Sequence, residues 1–78
     1  MNSRDENVII LKTRIEAFRD VRDDIIERTQ YIKDTIAKAP DDEYHKGRLQ
    51  ANEVTLAGVE ARIDVLVDLL IGLTGRKE

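Results

Sequence analysis

The sequence contains no cysteine and no tryptophan, and only one proline, one phenylalanine and two tyrosines in 78 residues. Without cysteine there can be neither a disulfide framework nor a thiolate metal site. An aromatic content of 4% beside 37% charged residues is the composition of coiled coils and elongated bundles rather than of a globular enzyme. Long apolar runs are missing too. The longest, residues 63–73, is interrupted by Asp64 and Asp68 and falls well short of the roughly 20 residues that cross a bilayer, so no membrane span is expected. No signal peptide is recognisable at the Met1 end, which makes a cytoplasmic location the default expectation. A large excess of one charge is likewise absent. The net charge is −3, with 8 basic and 8 acidic groups in residues 1–39 and 5 and 8 in residues 40–78. A general nucleic-acid binder would show a basic excess, so general nucleic-acid binding is not expected.

What the chain does have is two long amphipathic segments around one breaker. Pro40 removes a backbone donor and pushes Ala39 out of helical geometry, and Asp41, Asp42 and Glu43 behind it suit the positive end of a new helix. Ser3-Arg4-Asp5-Glu6 has the form of a capping box opening the first helix. Gly72 and Gly75, followed by Arg76 and Lys77, mark the end of the second. The expectation is helix over about residues 4–39, a turn over about 39–42 and helix over about 41–74, each helix about 50 Å long at 1.5 Å per residue. Residues 1–78 are read as one domain, an all-α antiparallel coiled-coil hairpin.

Each helix carries a heptad stripe. On the first it runs through Val8, Leu11, Ile15, Phe18, Arg22, Ile25, Thr29, Ile32 and Ile36, and on the second through His45, Leu49, Asn52, Leu56, Val59, Ile63, Leu66, Leu70 and Leu73. Folding the chain at Pro40 so that facing residue numbers sum to about 81 brings every stripe position against another. The layers pair Ile36 with His45, Ile32 with Leu49, Thr29 with Asn52, Ile25 with Leu56, and Arg22 with Val59. Beyond the centre they pair Phe18 with Ile63, Ile15 with Leu66, Leu11 with Leu70, and Val8 with Leu73. Thr29 and Asn52, sharing a layer, are read as a polar pair that fixes register, with Arg22 as a further polar core residue whose head reaches water or an acid such as Glu60 or Asp23.

Apolar residues outside the stripes crowd at the open end of the hairpin: Ile9 and Ile10 on the first helix, and Val65, Val67, Leu69 and Ile71 on the second. One neighbouring helix cannot cover so much of a helix's circumference, so these six residues are expected to pack against another copy, giving a four-helix bundle as a homodimer or higher oligomer. Gly58 is expected to admit a closely approaching backbone. The turn end is chemically the most varied surface. Tyr31, Lys38, Asp41, Asp42, Tyr44, His45 and Arg48 form the candidate surface for another protein, because tyrosine and arginine are frequent interface anchors.

Candidate chemistry is sparse. Asp42 and His45 stand three apart, a spacing used by metal ligands on one helical face, but a single histidine favours a solvated or structural role. Asp20, Asp23, Asp24 and Glu27, with Glu60, Asp64 and Asp68, could in principle hold magnesium for phosphate chemistry. Ile63-Asp64-Val65-Leu66-Val67 followed by Leu69-Leu70 resembles the last metal-binding helix of the MazG-like nucleotide pyrophosphohydrolases. Asp23-Asp24-Ile25-Ile26-Glu27 resembles their earlier acidic helix. The resemblance spans about 20 residues and implies a magnesium–carboxylate nucleotide site between subunits. The chain departs from that pattern where the family's glutamate would fall on Ala61, and it is short for the family's helices. Asp20, Glu27 and Asp68 also occupy the outermost heptad position, which makes a solvated acidic face the preferred reading. No catalytic residue, metal or cofactor is therefore expected. The expected function is that of a non-enzymatic adaptor, inhibitor or scaffold-like accessory protein, of the kind phages and mobile elements carry, with itself and another protein as partners.

Overall fold

The computed structural model describes residues 3–75 and contains two helices, α1 (Ser3–Lys38) and α2 (Glu43–Thr74). They pack against each other along their length to form a rod of 57 × 17 × 15 Å. No strand occurs among the described residues.

The turn is built as the sequence dictates. Residues 39–42 leave the helix at Pro40, and the Ala39 and Asp42 main chains close the bend through an Asp42 N–H to Ala39 carbonyl bond of 3.1 Å. Asp42 is the N-cap of α2, so α2 starts at Glu43, two residues later than the acids alone suggested. At the other end Gly75 adopts φ +69°, and its N–H donates to the Ile71 carbonyl at 2.7 Å. Only glycine takes that left-handed conformation without steric cost, so it is Gly75 that ends α2, while Gly72 remains helical. Arg76 and Lys77 lie outside the described residues. Ser3 is already helical, which places it inside the first turn rather than ahead of it. The N-cap position one residue earlier is outside the described residues.

Burial follows the heptads. Every stripe position on both helices is buried or half-buried, whereas almost all other positions are exposed. Ile15, Ile32 and Leu70 are the most fully enclosed. Ile25, Val59 and Ile63 form a central cluster against which Phe18, Leu56 and Val67 pack; all but Val67 occupy three adjacent layers of the 81-sum register. Burying such aliphatic side chains contributes on the order of 1.5–3 kcal/mol each. Only six apolar residues are buried among those described. One seam gives the hairpin a thin core, and much apolar surface stays wet.

Arg4 ties the open end shut. Its Nε donates to the Leu73 carbonyl at 2.7 Å, and Nη2 donates to the same oxygen. A helix leaves its last carbonyls without internal partners, and a guanidinium satisfies one here while meeting the negative end of the α2 dipole. Arg4 lies seven residues before Leu11, so extending the α1 stripe by one heptad would have placed it on the seam.

Candidate interaction surfaces

A helix whose core lies on two heptad positions presents two different flanks to the sides of the seam. In this hairpin each flank is built from both helices. On one, Ile10, Leu11 and Arg14 of α1 and Asp68, Leu69, Gly72 and Leu73 of α2 line an open groove of about 630 Å³. On the other, Arg22, Glu60, Ile63 and Asp64 line a smaller cleft of about 200 Å³. The seven-residue repeat extends the groove flank from Ile10 to Ala17, Asp24, Tyr31 and Lys38, and from Leu69 to Arg62 and Arg48.

This division sorts the six open-end apolar residues. Ile10, Val65 and Leu69 fall on the groove flank, and they are 47%, 59% and 54% exposed. Ile9, Val67 and Ile71 fall on the other: Ile9 is exposed, Ile71 is half-buried, and Val67 packs against the central cluster. The apolar end is thus two separate patches, because a helix turns about 100° per residue and adjacent residues face different ways.

Several of the turn-end residues touch one another. Tyr44 and Arg48 stand together, with the guanidinium 5.8 Å from the ring centroid, and the Tyr44 ring meets His45 edge-on at 5.3 Å between centroids. Tyr31 and Tyr44 are highly exposed. Together with Lys38 they continue the groove flank toward the turn. Asp42 and His45 are occupied with each other: Asp42 Oδ1 accepts the His45 main-chain N–H at 3.1 Å, and the His45 ring Nδ1–H donates to Oδ2. A carboxylate can only accept, so that pairing puts the proton on Nδ1. The main-chain bond from His45 holds the Asp42 carboxyl below its ordinary pKa, and the His45 ring lowers it further. The spacing of three that metal ligands also use here serves a helix cap. Asp41 is exposed beside it.

The polar core residues are placed as follows. Arg22 is half-buried, and its Nε and Nη2 both meet Asp23 Oδ1 at 3.0 Å. Thr29 is buried in the seam and Asn52 half-buried. The expected pairing of hydroxyl with amide is not made, since Thr29 Oγ1 has no hydrogen-bond partner. In contrast Thr13, Thr35, Thr55 and Thr74 each donate to the carbonyl four residues back, the usual refuge of a helical hydroxyl. Gly58 does not bring the two helices together either. A Cβ at Gly58 would meet only the Arg62 guanidinium, at 3.4 Å, and one at Gly47 or Gly72 would meet nothing within 4 Å.

Among the described residues, no three histidine or acid side chains are grouped so as to hold a metal ion. Nor is any helix among them long and apolar enough to cross a membrane. The chain matches no family model, curated protein or solved structure.

Proposed function

We propose that this protein is a non-enzymatic interaction module, a helical hairpin that self-associates through its open end and offers its turn end to another protein. The observation that carries this reading is the exposure of Ile9, Ile10, Val65 and Leu69, each about half open to solvent on a rod with a one-seam core. Exposed apolar surface of this kind, Ile10, Val65 and Leu69 on one flank and Ile9 on the other, marks association sites on a small protein. Two hairpins packed at their open halves make a four-helix unit, and both a homodimer and a higher oligomer contain it. At the turn end, exposed Tyr31 and the Tyr44–Arg48 pair supply the residue types that anchor protein interfaces.

A second reading has one observation in its favour. Glu60 and Asp64 line a cleft together with Arg22, residue types that a magnesium-bound phosphate would use. Calorimetry with magnesium and nucleoside triphosphates separates the two readings: no heat is expected, and binding heat lost in Asp64→Ala would favour the nucleotide site. Sedimentation at micromolar concentration tests the first directly. An assembly larger than the 8.9 kDa monomer is expected, and a stable folded monomer would reject self-association.

A further inference from the structure

The two flanks of the hairpin differ in charge as well as in shape. On the groove flank the repeat places Arg14, Arg28, Lys38, Arg48 and Arg62 against one acid, Asp24, which already pairs with Arg28; Asp68 stands at the outer rim. On the opposite flank the open half carries Asp5, Glu16, Glu60 and Asp64 with Lys12 and Arg19. Packing two groove flanks together about a two-fold axis, the commonest arrangement of homodimers, would set one arginine-rich face on another. Like charges brought together across an interface are strongly unfavourable.

We infer that copies of this protein stack side by side in the same direction, the basic groove flank of one against the acidic flank of the next. This rests on the self-association proposed above and specifies its geometry. With open ends level, residues at equal positions along the rod meet. Arg14 then lies between Lys12 and Glu16 of the next copy, and Arg62 lies between its Glu60 and Asp64, so the α2 side supplies the stronger charge match. The apolar rows coincide as well: Ile10 meets Ile9, and Leu69 meets Val67 and Ile71. Gly72, with open space where a Cβ would be, keeps the groove floor low enough to receive them. Toward the turn the match weakens, since Arg48 would come level with Lys46, and Arg28 would lie midway between Asp23 and Lys33. The open halves therefore dock while the turn ends splay and stay available. Because the two contacting surfaces are different, the assembly is a ring or an open stack, not a closed two-fold dimer.

Charge exchange tests this. In the open half, Arg14→Glu with Arg62→Glu makes both flanks acidic, and Glu16→Lys with Asp64→Lys makes both basic. All four positions are exposed on helices, and circular dichroism checks that each double variant remains helical. Each double variant alone is expected to associate about tenfold more weakly than wild type or worse, and an equimolar mixture is expected to regain the association, because each now complements the other. Double variants that keep the wild-type mass, or a mixture that stays dissociated while the wild type associates, would overturn the stacking and leave self-association standing. A wild type that is itself monomeric would overturn both. Association abolished by nuclease would make a nucleic acid the occupant of the basic flank and would also overturn it.

Discussion

Asp42 holds His45 twice, through the main-chain N–H at 3.1 Å and through the ring Nδ1–H, so one carboxylate both caps α2 and fixes the first side chain of its seam. The cap makes the fold acid-sensitive at a defined point. The Asp42 carboxyl titrates below its ordinary value of 3.8 in the folded chain, so its contribution to stability is full above about pH 4 and is lost as pH falls through the lower, folded value. Thermal melts followed by circular dichroism from about pH 2 to pH 7 should show this slope. Asp42→Asn keeps an acceptor for the cap but nothing to titrate, and it should flatten the acid limb. Asp42→Ala should lower the melting temperature at neutral pH. An Asn variant with the wild-type pH profile would assign the acid limb to other carboxylates.

Thr29 Oγ1 is buried without a partner, and an unsatisfied buried hydroxyl costs on the order of 1–3 kcal/mol. Thr29→Val replaces the hydroxyl by a methyl in the same space. It should raise stability by about 1 kcal/mol, which is a melting temperature about 4–8 °C higher for a domain of this size. Asn52→Leu, one layer partner away, should likewise keep or raise stability while broadening the distribution of oligomers, the usual consequence of removing a polar register group. Loss of folding in Asn52→Leu would show that the half-buried amide has a structural role the seam cannot do without.

The glycines separate hairpin stability from association. Neither Gly47 nor Gly72 has a neighbour that an added Cβ would strike, and both are helical, so alanine should stabilise the isolated hairpin by up to about 1 kcal/mol at either site. Only Gly72 lies on the floor of the docking groove. Gly72→Ala should therefore weaken association while Gly47→Ala leaves it unchanged, as measured by sedimentation across a dilution series. Equal behaviour of the two variants would place the contact away from the groove.

Much of the fold was legible because heptad periodicity is a backbone property. The positions of Val8 through Ile36 and of His45 through Leu73 follow from the number of residues per turn, and Pro40 fixes where the chain reverses. Side-chain bonding was not legible in the same way. Thr29 and Asn52 share a layer by arithmetic, but whether a hydroxyl reaches an amide depends on rotamers. The spacing of Asp42 and His45 is compatible with a metal site as well as with a structural role, and the helix cap they form is visible only in the backbone of Asp42. Ile9 and Ile10 read together as one apolar end. Their assignment to opposite flanks emerges only when both helices are in place, since each flank is half α1 and half α2. The function is the least legible layer, because exposed helix faces do not by themselves name a partner.

The division of the open end makes Leu69 and Ile71 unequal although they are two residues apart. Leu69 lies on the groove flank and Ile71 on the acidic flank, so Leu69→Lys should block one docking surface and Ile71→Lys the other. The double variant loses both and should sediment as a monomer, with no effect on wild type when the two are mixed. Each single variant keeps one good flank and should not assemble with itself. An equimolar mixture of the two single variants should stop at a 1:1 pair, since the intact groove of Ile71→Lys accepts the intact acidic flank of Leu69→Lys and no surface is left to continue. A two-fold dimer through the groove predicts something else: Ile71→Lys would remain a dimer, Leu69→Lys would be a monomer, and mixing would change neither. The masses of three samples in the ultracentrifuge therefore distinguish a stack from a dimer, and unchanged wild-type mass in the double variant would move the interface away from the open end altogether.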